Sequence, residues 1–326
     1  MRRRVTRDFS NVRGWWLAGL ALAAACGDGP SEDQPPTHPT ADVVTTLPVV
    51  GSTYGVAISQ KDAVYVTQIS GHLLFRGRSN LVQFVDTVVV GETPAHVAFD
   101  PAGKFAYVTN QSTGTVSFVS VSTNREFAQV PLGHPAFNLL VSPDGKRVYA
   151  TTDIGMVYAI NTSSRAIVDS FSAGAVANGL AFKPDGSRLY VSSRDAGQVV
   201  VYNPASGDVI DTLVTGGMPQ RMAVSADGNE LYIANETLGL DFWDLNAGVR
   251  ITTIPIDAYG LALSPDDAHI YVTDPLGGVL HIIDRAARAA GHPTVILQGR
   301  PRNIAFNRLG TEAIVTNEQG YVSVIH

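Results

Sequence analysis

The chain has 326 residues, with 45% hydrophobic, 16% charged, 31 glycines and a formal net charge of −6. Removing residues 1–25 takes away five Arg and one Asp, which leaves 18 basic and 28 acidic residues and a charge of −10. An acidic body without any Lys/Arg-rich run excludes general affinity for nucleic acid, which needs phosphate neutralisation.

In chain order, the first element is an address. Arg2, Arg3, Arg4, Arg7 and Arg13 form a basic start, and Trp15 to Ala25 is an apolar stretch of eleven residues. That is about half the roughly 20 needed to span a bilayer as a helix, and it suits a signal peptide over 1–25. The segment ends Leu22-Ala23-Ala24-Ala25-Cys26, which resembles a bacterial lipobox with Cys26 as the lipidated residue, although Leu22 sits one place early. Two processings follow: lipidation of Cys26, favoured because the only cysteine of the chain lies at this junction, or ordinary cleavage after Ala25. A lone cysteine also rules out an intramolecular disulfide. Residues 26–40 have no aliphatic side chain and read as a disordered tether. The expected location is the cell envelope, lipid-anchored, with the outer membrane or cell surface preferred.

From residue 41 to 326 one phrase recurs. It reads PAGKFAYVTN at 101–110, PDGKRVYATT at 143–152, PDGSRLYVSS at 184–193 and ADGNELYIAN at 226–235, with weaker copies at 60–68, 265–274 and 308–317. Its register residues Tyr65, Tyr107, Tyr149, Tyr190, Tyr232, Tyr271 and Ile314 are separated by 42, 42, 41, 42, 39 and 43 residues. A period of this size with short β-rich runs indicates a propeller. Within 174–215 four such runs appear, GLAF, RLYVSS, QVVVYN and DVIDTLV, and Pro-Asp-Gly between the first two encodes a type I turn closed by a left-handed residue. Alanine recurs in the first strand at 57, 98, 181, 223, 262 and 305, with Leu140 the exception, as a taper toward a central axis requires. The predicted fold is all-β: a seven-bladed β-propeller of four-stranded antiparallel blades. The seventh copy supplies only three strands, while DVVTTLPVVG at 42–51 matches the fourth strand of the fourth copy. The N-terminal strand is therefore expected to complete the last blade. Closure leaves no end blade, so a monomer is expected.

Repeats of the form G-x-x-P-x-x-[VIL]-A-F-x-P-D-G-K-x-[VL]-Y-V-T-N followed by G-x-V resemble the YVTN-repeat β-propellers of microbial cell-envelope proteins. The resemblance covers about 41–326 and implies the propeller fold and an envelope setting.

The loops leading into each first strand border the central channel in such a fold. Their last residues include Tyr54, His96, Asn138, Asn178, Arg221, Tyr259, Arg302 and Asn303, an aromatic and hydrogen-bonding ring at the channel mouth and the candidate ligand site. On the same face, the loops between second and third strands add Asn110, Asp153, Arg194, Asp195, Asn235, Glu236, Asp274, Asn317 and Glu318. The eight histidines show no i, i+4 pair and no HExxH or CxxCH spacing, so neither a metal nor a cofactor is expected. His96 and His134 fall in corresponding loops at different offsets, which does not suit a shared metal. Gly-rich phosphate cradles and GxSxG are absent, and Trp243-Asp244 reads as an ordinary strand end. The expected function is non-catalytic binding of an envelope protein, glycan or small ligand. The alternative is a lactonase-like hydrolase or a quinoprotein-like oxidoreductase acting at the channel.

Overall fold

Seven antiparallel sheets follow one another along the chain, each a meander that begins near the axis and ends at the rim. The computed structural model describes residues 37–39, 44–78 and 84–326. The signal segment and Cys26 lie outside the described residues. Among the described residues there is no helix long and apolar enough to cross a membrane.

The fourth blade, in which the four runs are clearest, consists of Ala177–Phe182, Leu189–Ser193, Gln198–Asn203 and Asp208–Val214. Its Pro-Asp-Gly turn closes with Gly186 at φ +72°, and Gly103, Gly145, Gly228 and Gly310 repeat that geometry. Asp267 (φ 60°) and Asp62 (φ 59°) fill the same place in blades six and one, since a short polar side chain tolerates the left-handed region better than most.

The register residue of each repeat lies opposite the taper position: Ala57 pairs with Tyr65, Ala98 with Tyr107, Leu140 with Tyr149 and Ala305 with Ile314. A small residue on the inner strand thus faces a large one on the next. Those tyrosines and Ile314 are almost fully buried, in clusters that join neighbouring blades. Apolar burial of this kind contributes about 2 kcal/mol per large side chain. The tyrosine hydroxyls escape to polar partners at the edge, Tyr65 to Asn124 Oδ1 at 3.0 Å and Tyr232 to Glu230 Oε2 at 2.7 Å.

The threonine of the repeated phrase stitches the ring. Thr109 Oγ1 accepts from His96 N–H in its own blade at 3.1 Å and donates to the Phe137 carbonyl of the next at 3.1 Å. Thr67, Thr151, Ser192, Thr273 and Thr316 do the same, the last joining blade seven to blade one through the Tyr54 carbonyl at 2.5 Å. Blade five has Ala234 at this position. The blades approach so closely here that a Cβ on Gly179 would collide with the Gln220 carbonyl, which is why glycine precedes the inner-strand apolar run.

Ring closure follows the expected clasp. Val44–Pro48 pairs antiparallel with Tyr321–Ile325, completing the blade formed by Pro301–Phe306 and Ala313–Asn317. Blade six departs from the meander. Its outer strand is broken into Ala289–Ala290 and Val295–Ile296, both pairing with Val279–Asp284. Gly291-His292-Pro293 causes the break, because proline has no N–H to give the ladder. The folded body also reaches further than the expected tether boundary. Thr37 N donates to the Leu309 carbonyl at 2.8 Å, and Tyr271 Oη donates to the Pro39 carbonyl at 2.7 Å.

Candidate functional site

The inner strands carry a recurrent irregularity at their channel ends. Register shifts lie between Thr53 and Val56, Pro94 and His96, Ala136 and Leu139, Ala177 and Leu180, Pro219 and Met222, and Pro301 and Ile304. A bulge leaves a residue out of the ladder and re-aims its side chain. Tyr54, Asn138, Asn178, Arg221, Arg302 and Asn303 of the predicted ring lie within these shifts, while His96 closes its own by pairing with Thr109 and Tyr259 precedes the short inner strand of blade six, which has none.

They surround a cavity of about 360 Å³. Tyr54, His96, Asn178, Arg221, Tyr259 and Arg302 line it. Asn138 and Asn303 do not. Asn138 is buried and its Oδ1 accepts from the Leu139 N–H at 2.9 Å, so its side chain is consumed by its own backbone. Asn303 sits behind the wall, donating to the Tyr54 carbonyl at 2.8 Å with its Oδ1 3.2 Å from His96 Nε2. It positions the ring residues. The lining further includes Gln111, Phe137, Val176, Arg194, Gln220 and Glu236. Arg194 and Glu236 are the second-to-third-strand loop residues of blades four and five, and they pair at 3.2 Å. Gln111 occupies the register position of Arg194 and Glu236, four residues after the tyrosine of its repeat, so the pattern that points to those two reaches it as well; Val176, two residues before Asn178, carries no sequence signal.

At the centre is Arg221. Its guanidinium is buried and donates to His96 Nε2. Among the described residues no carboxylate forms an ion pair with it. Burial pulls its pKa below the ordinary arginine range. His96 is held well below the usual imidazole value, first by burial and then by the Arg221 charge, so it is a neutral ring. Tyr54 and Tyr259 share a hydroxyl–hydroxyl hydrogen bond, and burial raises Tyr54. Arg302 stacks over the Tyr259 ring, its Cζ 4.4 Å from the centroid, while Nε donates to Glu318 at 2.8 Å. Asn178 donates to Gln220 Oε1 beside them. Three arginines and one glutamate line the mouth, an electropositive hollow in an acidic body. A buried cation without its own carboxylate is costly unless something else neutralises it.

The family model described as "Lactonase, 7-bladed beta-propeller" matches residues 62–239, more than half of the chain. The chain belongs to this family. Among solved structures, a chain of hydrazine synthase from Kuenenia stuttgartiensis is similar to this lactonase-family propeller. The two are 18% identical, with a TM-score of 0.77 over 91% of this chain and 99% of that one. At that identity the likeness speaks for the fold. No curated protein matches the chain.

Sequence spacing gave no metal motif, yet three distant histidines of this propeller, His38, His269 and His292, come within reach of one another on blade six, away from the mouth.

Proposed function

We propose that the protein is a binding propeller of the cell envelope whose channel mouth takes a small anionic, hydroxyl-bearing ligand such as a hydroxycarboxylate or an acidic sugar unit. The observation that carries this reading is the buried Arg221 guanidinium, which faces the cavity without a carboxylate of its own. A ligand carboxylate supplies the missing countercharge, and charge-assisted hydrogen bonds of this kind are the stronger ones. Arg302, lying over Tyr259, offers a second cation at the rim, and Asn178 and Gln220 offer amides for hydroxyl groups. The setting rests on the signal segment and Cys26: lipidation there tethers the disc to a membrane with its mouth free for the ligand.

Lactone hydrolysis is the second reading, favoured by the family match and by His96, a neutral imidazole on the cavity wall that takes a proton from water once Arg221 turns from its Nε2 to the ligand. The two readings share a ligand class, since a hydrolysed lactone is a hydroxycarboxylate.

Titration of the chain with gluconate, glucuronate and their lactones, with lactone turnover followed by pH-stat, separates them. Saturable binding of the acids without turnover supports the binding module. Turnover abolished in His96→Gln supports the hydrolase. Arg221→Met is expected to weaken acid binding about 10- to 150-fold, while melting temperature stays level or rises, because an apolar side chain replaces an unpaired buried charge. Unchanged affinity in Arg221→Met defeats the anion site.

A further inference from the structure

We infer that His38, His269 and His292 form a binding site for a divalent transition-metal ion of the zinc type, which staples the segment before the clasp strand onto blade six. One nitrogen from each ring lies within 4.8 Å of the others. The ring centroids of His38 and His269 are 3.9 Å apart, His269 and His292 5.3 Å, and His38 and His292 5.9 Å. Zinc–nitrogen bonds of about 2.1 Å in tetrahedral geometry place donors about 3.4 Å apart, so a shift of about 1 Å completes the site.

The surroundings are those of a ligand set. His38 Nδ1 is 2.6 Å from Asp266 Oδ2, which fixes the proton on Nδ1 and leaves Nε2 free to coordinate. Asp266 is itself held, its Oδ1 accepting from Ser264 Oγ at 2.5 Å and from the Ala268 N–H at 3.1 Å. His269 is only 9% exposed, and its Nδ1 is buried with no hydrogen-bond partner. A buried imidazole nitrogen left unpaired is an uncompensated cost, and a metal ion is the partner its lone pair suits. His292 comes from the break in the outer strand of blade six, which interrupts the four-stranded pattern there. Three imidazole donors suit zinc, copper or nickel rather than calcium or magnesium, which prefer oxygen. Three protein ligands leave a fourth position for water.

The consequence is mechanical. His38 lies six residues before Val44, where the clasp strand begins. Thr37 and Pro39 on either side already bond to blades seven and six. An ion bridging His38 to His269 and His292 fastens the segment that leads into the clasp, and so couples metal binding to ring closure.

The test uses the tag-free full chain. Calorimetric titration with Zn²⁺ is expected to give one site per chain. Co²⁺ substitution is expected to give the intense visible absorption of a tetrahedral centre. Asp266→Asn should weaken Zn²⁺ binding about 10- to 100-fold, and His38→Gln and His292→Gln should weaken it more. Both of those residues lie outside the regular ladders, so circular dichroism should stay unchanged and a folding failure should not confuse the result. Zn²⁺ should also raise the melting temperature of the native chain and not that of His38→Gln. The inference is overturned if the native chain binds Zn²⁺ no more tightly than the His38→Gln/His292→Gln double variant. A thermal shift that persists in His38→Gln overturns the staple.

Discussion

Two blade boundaries solve the same packing problem with different chemistry. At the seam, where blade seven meets blade one, the contacts are buried hydroxyls and a borrowed strand. Thr316 Oγ1 reaches the Tyr54 carbonyl, Thr53 Oγ1 donates to the Asn317 carbonyl at 2.8 Å, and Val44–Pro48 covers the outside. Between blades five and six the stitch is missing. Ala234 and Ala258 meet there in an apolar cluster, and the joining is done further out by Glu230 of blade five with Arg288 at 2.9 Å and Arg285 at 3.6 Å. Such partly exposed ion pairs are worth about 0–1 kcal/mol and fade with salt. A buried hydroxyl that satisfies an N–H and a carbonyl at once is insensitive to salt and costs more to lose. Among the described residues the hydroxyl stitch is common to six of the seven boundaries and missing only between blades five and six; what the seam adds is a second hydroxyl, Thr53, and the borrowed strand, because no peptide bond joins the last blade of the ring to its first.

The largest effect is expected from breaking the seam. Deleting 44–48 removes the outer ladder of blade seven and the packing of Leu47, and should cost about 5 kcal/mol and expose an edge prone to pairing with other chains. Thermal and urea melts check this; an unchanged midpoint would mean that the clasp does not hold the ring.

Exchanging the two boundary chemistries should have a smaller effect. Thr316→Val leaves the buried Asn303 N–H unpaired and the Tyr54 carbonyl with only the Asn303 amide as donor, at a cost of about 1–3 kcal/mol. Ala234→Ser introduces at the weak boundary the hydroxyl that Ser192 supplies in blade four, and should gain up to about 1 kcal/mol. Urea melts of both variants in low and high salt would sharpen the comparison, since only the five–six boundary should respond to salt.

The smallest effect concerns pH. Glu312 in blade seven is pushed up to about 7 by burial and then by Asp62 across the seam. Its folded value lies above that of an unfolded chain, so the folded state holds the extra proton. The seam's contribution is therefore full below about pH 4 and falls as pH rises toward 7. Allowing for solvent screening, the loss is about 1–2 kcal/mol. Glu312→Gln should flatten the stability profile over that range and raise the melting temperature at pH 8. A profile that keeps its slope in the variant would assign it to other groups.

The ring of approach-loop residues was legible because the repeats place it two or three residues before the taper position, where the inner strands of six blades carry a bulge. Six of the eight named residues line the cavity; Asn138 and Asn303 do not, because each short amide spends its hydrogen bonds on backbone or on a neighbour in the wall. Gln111 shares the register position of Arg194 and Glu236 and could have been named with them; Val176 was not legible, since its place on the wall depends on how the entry loop leans. The threonine of the repeated phrase read as part of a strand. Its double hydrogen bond became visible only once the next blade stood beside it.

Sequence alone determined the number of blades, the turn at each Pro-Asp-Gly, the recurrent small residue of the inner strands and the donated strand, because each depends on local backbone preference or on a pattern repeated in register. Only the tertiary structure decided that Arg221 lies buried without a carboxylate and that His38, His269 and His292 meet. These contacts join residues as many as 254 positions apart. No spacing rule connects a segment before the first blade with a break in the sixth; closing the ring brings them together.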